Sequence, residues 1–161
     1  MSRQARLGID VVIARTPEQR TDALRVRIAV FCDEQGIPRE DELDALDDAA
    51  VHVAGYVPDG PSGGGAPLTG RTAVAAGRLV LGDGYAKLGR MAVLREHRGR
   101  GYGAAILAAL EREAATRGIR EIRLSAQLHA AGFYARAGYR RTSDVYDEVG
   151  IPHIAMEKRL G

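Results

Sequence analysis

At 161 residues the chain suits one domain able to bury a proper hydrophobic core. Its 23 Lys+Arg against 21 Asp+Glu leave a net charge of +2, so nothing global argues for nucleic acid, and the basic residues lack the interleaved aromatics of a single-strand-binding surface. A lone Cys32 excludes an internal disulfide and a cysteine-based metal cage, and no stretch approaches eighteen apolar residues, which makes a cytoplasmic protein without a membrane span the expectation.

In chain order, Ile9 to Ala14 is expected to form a first strand. Thr16-Pro17-Glu18-Gln19 then supplies a cap, a proline suited to the first helical position and the glutamine of a capping box. Leu24, Ile28 and Phe31 follow at helical spacing, which predicts a helix burying that face up to about Cys32. Val51 to Val57 and Thr72 to Leu81 are expected to pair as one hairpin, with a flexible Gly/Pro loop at 58–70 between them. Tyr85 to Leu94 is the next expected strand.

The stretch Arg95-Glu96-His97-Arg98-Gly99-Arg100-Gly101-Tyr102-Gly103-Ala104 places three glycines and three arginines at the entrance to an amphipathic helix. All but two of the chain's 23 basic residues are arginine, so about one is expected in six residues by chance; Arg95 to Arg100 holds three. Most helices satisfy their first N–H groups with a capping Ser, Thr, Asp or Asn and an early carboxylate. From Gly101 to Leu110 neither is present, so the positive end of the helix is left for an external anion, consistent with a pyrophosphate cradle. Gly99-x-Gly101-x-x-Ala104 formally matches a dinucleotide fingerprint, but the following strand, Glu121 to Ala126, ends in small residues where the ribose-binding acid belongs. No Gly-Lys-Ser/Thr follows, which removes a nucleoside-triphosphate loop.

The helix itself carries Ile106, Leu107, Leu110 and Ala114 on its inner side, with Gly118 as its stop. A strand from Glu121 to Ser125, a short helix from His129 to Ala137 stopped by Gly138, and antiparallel strands around Val145 and from His153 to Lys158 complete the chain. The alternation predicts an α/β domain over 1–161, with a single mixed, mostly antiparallel sheet flanked by helices on both faces.

Arg98, Gly101 and Gly103 fill an R-x-x-G-x-G pattern that resembles the acetyl-CoA loop of the GCN5-related N-acetyltransferases, the GNAT superfamily. Gly89 to Leu94 resembles that family's fourth strand, and Gln127 to Tyr139 its motif of an amide residue, an alanine and Tyr-x-x-x-Gly-aromatic, with Gln127 where asparagine is commoner. Phe31 to Pro38 and Gly150 to Met156 resemble a small bacterial subgroup. The resemblance implies the GNAT-like acyl-CoA N-acyltransferase fold, acetyl-CoA as cosubstrate and a primary amine as acceptor. By the same resemblance, Met91, Ala92 and Val93 would lie along the pantetheine arm, and Arg98, Gly99, Arg100, Gly101, Tyr102, Gly103 and Ala104 would hold the pyrophosphate, with Gln127 a further contact.

Amine attack on a thioester needs a neutral amine, a donor for the oxyanion and a proton for the departing thiolate. Tyr134 matches the family's tyrosine acid. Glu34 and His129 are the leading base candidates, with His153 and Glu148 behind them. The four histidines match no ligand spacing, so no metal is expected. The acidic run Glu40 to Asp48 lies where the superfamily shapes its acceptor pocket and either attracts a cationic amine or is a solvated loop. Among partners the sequence implies the amine acceptor, no nucleic acid and no membrane, and it is compatible with a homodimer. A CoA-binding regulatory or interaction module that has lost transfer is the alternative, since the loop serves both.

Overall fold

The structure, a computed structural model, describes residues 3–59 and 70–161. The expected Gly/Pro loop lies largely on 60–69, outside the described residues. A short helix, α1 (Arg3–Leu7), precedes strand β1 (Asp10–Ile13) and helix α2 (Pro17–Arg27). The Thr16 capping box forms: the hydroxyl accepts the Gln19 N–H at 3.1 Å and the Gln19 side chain accepts the Thr16 N–H. The helix then widens into a π segment, Ile28–Glu34, marked by a Gln35 N–H donating to the Val30 carbonyl five residues back. After α3 (Arg39–Glu42) and a short turn of 3₁₀-helix come β2 (Val51–Pro58), β3 (Arg71–Leu81) and β4 (Ala86–Val93). The glycine loop leads into α4 (Tyr102–Thr116), followed by β5 (Glu121–Gln127), α5 (Ala131–Arg136), β6 (Arg140–Arg141), β7 (Tyr146–Glu148) and β8 (Ile151–Arg159).

All eight strands join one sheet in the order β1-β2-β3-β4-β5-β8-β6, with β7 also pairing to β8. Every pairing is antiparallel except β4 with β5. On one face α4 buries Ile106, Leu107, Leu110 and Ala114 against Val53, Leu79, Leu88, Ile122 and Leu124, each large apolar side chain contributing about 1.5–3 kcal/mol. Gly77 permits the close approach: a Cβ there would lie 2.7 Å from Leu110 and 2.8 Å from Ile106. The opposite face is covered by α2 and the π segment, where Ala23, Val26 and Val30 meet Ala54, Tyr56, Ala76 and Ala92.

That second face departs from expectation. Leu24, Ile28 and Phe31 are only half-buried, while Ala23, Val26, Arg27 and Val30 point inward. An apolar count takes Arg27 for a surface residue, yet it is fully buried, and the wider π turn changes the phase of whatever follows it.

Candidate active site

Two strands that run parallel and then part create the cleft. The β4–β5 pairing holds only from Ala86↔Ile122 to Leu88↔Leu124, although β4 runs on to Val93 and β5 to Gln127. A bulge helps turn β4 aside: Ala76 pairs Ala92 and Arg78 pairs Gly89, so Gly77 opposes both Arg90 and Met91. Arg90 takes the left-handed conformation this requires, with φ 53°. The parting leaves a cavity of about 770 Å³, lined by β4 from Lys87 to Val93, by the π segment, and by Gly103, Gln127, His129 and Tyr134. Among the described residues the only non-glycines at positive φ are Arg90 and Val149, and both line it; strain of this kind gathers at functional sites.

At one end of the cavity α4 begins. Gly101 occupies its cap position at φ 84°, with no side-chain cap and no acid in the first turn. The first intrahelical bond runs from Ala105 N–H to the Gly101 carbonyl, so the N–H groups of Tyr102, Gly103 and Ala104 precede the helical ladder. Gly103 faces the Phe133 ring, and a Cβ there would touch it at 3.5 Å. Bare backbone donors, the helix dipole and a glycine surface suit a phosphate-bearing ligand, and Met91, Ala92 and Val93 line the same cavity. The Tyr102 side chain is buried and stacks with His97, so only its backbone is available to such a ligand.

The loop arginines divide. Arg98 makes a bidentate pair with Glu34, two bonds of 2.8 Å, and its Nε donates to the Val93 carbonyl at 2.9 Å. Arg95 reaches the same carboxylate at 3.7 Å. Arg100 is exposed and makes no ion pair among the described residues. The Arg98 hydrogen bonds hold the Glu34 carboxyl below its ordinary range, and Glu34 in turn raises Arg98. Two residues expected to serve ligand and proton transfer separately are thus joined, pinning the π segment to the end of β4.

Tyr134 on α5 lies 7 % exposed, edge-on to Phe133 at 5.0 Å and to Tyr139 at 5.8 Å between ring centroids. Its hydroxyl has no hydrogen bond among the described residues, and burial pushes its pKa well above the usual phenol value. Gln127 is engaged on both sides: its Nε2 donates to Gln35 at 2.8 Å and its Oε1 accepts from His129 Nε2 at 2.7 Å. His129 is exposed at the cavity rim.

The acidic run divides: Glu40, Asp41 and Asp48 are exposed, whereas its other three carboxylates are neutralised within the fold. Glu42, Asp44 and Asp47 are bound by Arg27, Arg78 and Arg90. Arg27 Nε donates to Glu42 at 2.9 Å and its Nη1 to Asp47 at 2.8 Å; Arg78 bridges Asp44 at 2.8 Å and Asp47 at 3.0 Å; Arg90 meets Glu42 at 3.1 Å and Asp44 at 3.2 Å. Of this network Glu42, Asp44, Arg78 and Arg90 line the cavity, and Arg27 and Asp47 brace them from behind. Sequence reasoning missed this network because its partners are as far as 48 residues apart. A signal did exist: Arg27 stands where α2 needs an inward residue, beside Ala23 and Val26.

No group of three or more His, Cys, Asp or Glu among the described residues is arranged as a metal site, and no helix among them is long and apolar enough to cross a membrane.

Comparison with known proteins agrees with this geometry. Residues 69–160 match the acetyltransferase (GNAT) domain family. The Bacillus subtilis (strain 168) protein YjcF, described as an uncharacterized N-acetyltransferase, is 40% identical over 148 residues, spanning 91% of this chain and 97% of its own. An acyl-CoA N-acyltransferase from Pseudomonas aeruginosa superposes with a TM-score of 0.74 at 25% identity, covering 93% of this chain and 99% of its own. An aminoglycoside 6'-N-acetyltransferase solved with coenzyme A shares the fold, with a TM-score of 0.68 at 15% identity over 93% of this chain and 96% of its own. With split strands, an uncapped helix start and these relatives, the chain belongs to the GNAT acetyltransferase family and has its acyl-CoA N-acyltransferase fold.

Proposed function

We propose that the protein transfers the acetyl group of acetyl-CoA to a primary amine of a small-molecule or peptide acceptor, by direct attack in a ternary complex. The observation that carries this reading is the uncapped, glycine-lined start of α4 opening onto the cleft between β4 and β5. In this reading the backbone N–H groups of Tyr102, Gly103 and Ala104, with Gly99 and Gly101 keeping the loop open, hold the pyrophosphate, and Arg100 adds the free cation. The pantetheine arm lies along Met91, Ala92 and Val93, and a β4 N–H freed by the parting steadies the thioester oxygen. Tyr134 protonates the leaving thiolate. Arg98 and Gln127 act as braces, one fixing the π segment to β4 and the other fixing it to β5.

Glu34 is a poor proton acceptor in this arrangement. Both its oxygens are engaged by Arg98, which favours the ionised carboxylate and lowers its basicity. His129 keeps Nδ1 free but donates Nε2–H to Gln127, and is assigned to orienting that amide. The non-catalytic CoA-binding reading shares the cradle but has no use for a buried, unbonded phenol at Tyr134.

Calorimetric titration with acetyl-CoA, CoA and NAD at one salt concentration tests the cradle. Saturable one-to-one binding of both CoA species with NAD silent is expected; no binding by folded protein would remove both the transferase and the sensor readings. Arg100→Ala is expected to weaken acetyl-CoA by roughly two- to fivefold, more at low salt, as befits an exposed cation. An unchanged constant at low salt would exclude Arg100 from the cradle.

A further inference from the structure

The β7–β8 hairpin brings a second ionisable pair into the cavity. His153 on β8 is the register partner of Gln127 on β5 and of Tyr146 on β7. Direct partners project from the same face of a sheet, and Glu148, two residues beyond Tyr146, shares it. The face is the one on which Gln127 meets Gln35 at the end of the π segment.

His153 is 5 % exposed and its ring is fixed. Nδ1 lies 2.7 Å from the Ile151 carbonyl, a bond in which the nitrogen must donate. The ring stacks on Tyr146 at 6.2 Å between centroids and an interplanar angle of 26°. Tyr146 is itself held by a short hydroxyl contact with Ser125. With its proton at Nδ1, the neutral imidazole has its lone pair at Nε2, and Nε2 stands 3.4 Å from the Glu148 carboxylate. Glu148 is 45 % exposed at the side chain, so an incoming group can reach it. Both line the cavity that Tyr134 lines. The other titratable groups around the ring are Tyr146 and, through Gln127, His129.

We propose that His153 and Glu148 together are the proton acceptor of the transfer, an assignment that rests on the acetyl-transfer reading. Glu148 holds the acceptor's ammonium group, and His153 Nε2 takes one proton from it. That N–H bond breaks, a new one forms at Nε2, and the freed lone pair attacks the thioester carbonyl. When the C–S bond breaks, the thiolate takes the Tyr134 proton, and the nitrogen's second proton restores the phenol. The imidazolium, held against Glu148, then releases its proton to solvent, so the reaction frees one proton per amide formed.

The test compares two probe amines on full-length wild type and His153→Gln: benzylamine, protonated at neutral pH, and methoxyamine, already neutral there. The benzylamine-to-methoxyamine ratio of kcat/KM is expected to fall by about 10²-fold in the variant at neutral pH and to recover as pH rises. Calorimetry with acetyl-CoA should give the wild-type constant. Equal losses for both amines, a deficit that ignores pH, or no deficit would each overturn the assignment. Should His153→Gln fail to fold, Glu148→Gln carries the test, because the carboxylate is the group that holds the ammonium: the KM of benzylamine should rise by about tenfold or more while that of methoxyamine and the acetyl-CoA constant stay at their wild-type values, and equal changes for both amines or none would overturn the pair. Failure of the underlying transfer reading is distinguishable, because wild type would then not bind acetyl-CoA before any amine is added.

Discussion

Replacing Tyr134 with phenylalanine is expected to lower kcat by about 10²- to 10³-fold at neutral pH while changing acetyl-CoA affinity by no more than about twofold. The ring's packing against Phe133 and Tyr139 does not involve the oxygen, so the variant should fold. Deleting a hydroxyl that has no protein partner and faces the cavity leaves no protein group unpaired, and the expected stability change is near zero. Burial raises the phenol pKa, so Tyr134 is protonated throughout the physiological range. It is therefore suited to give a proton when a desolvated thiolate appears beside it, and unsuited to take one from an amine. Thiol release in steady state and calorimetric titration, run on the same preparation, separate the outcomes. Unchanged turnover would remove Tyr134 from the mechanism. Lost binding would make it a packing residue of the cleft wall.

Arg27→Met should be the most destabilising single change near the site, costing about 3–5 kcal/mol and lowering Tm by about 10 °C or more. Arg27 is 0 % exposed and Glu42 3 %. Without the guanidinium, Glu42 keeps only Arg90 and Asp47 only Arg78, so buried negative charge is left under-compensated. Chemical denaturation measures the cost, and a loss below about 1 kcal/mol would show that the network contributes little. Adding Glu42→Met should recover part of the loss, because two apolar side chains replace a charge left without its partner. The network also fixes a pH dependence. Burial pushes the Asp47 carboxyl up, but hydrogen bonds from Arg27 and Arg78 more than offset it and hold the group well below the usual carboxylate range. Its folded value lies below its unfolded one, so its contribution is complete above about pH 4 and is lost as pH falls through the folded value. Arg27→Met should flatten that acid limb.

Elements whose reasons are local were legible in the sequence. The capping box at Thr16, the inner stripe of α4 and the hairpin strands β2 and β3 each depend on neighbours a few residues away, and they stand where periodicity puts them. The unprotected start of α4 was legible for the same reason. Helix α1 was not, because five residues without a cap have no propensity signal; it is tied down by the Ile9 N–H donating to the Gln4 carbonyl and by packing against α4. Nor was β6, whose two residues are strand only because β8 lies beside them. At the site, residue identities were readable and partnerships were not. Glu34 and Arg98 are 64 positions apart, and only the fold reveals that a candidate base and a candidate ligand arginine neutralise each other. His153 and Glu148 are close in sequence, yet their pairing depends on a two-residue turn with Val149 and Gly150 both at positive φ, a conformation valine rarely adopts.

Beyond Leu88, β4 becomes a strand edge inside the molecule. An exposed edge of this kind normally invites a second chain to add a strand, and proteins restrain it with charge, proline or a covering element. Here the restraint is depth: the π segment, α5 and the β7–β8 hairpin enclose the unpaired row, so a whole polypeptide strand has little access to it while a thin, extended molecule can enter. The same opening leaves the two halves of the sheet joined at three registered pairs. A guest that bridges both sides of the gap would therefore also act as a rivet between them, making the molecule's internal stiffness depend on what occupies it.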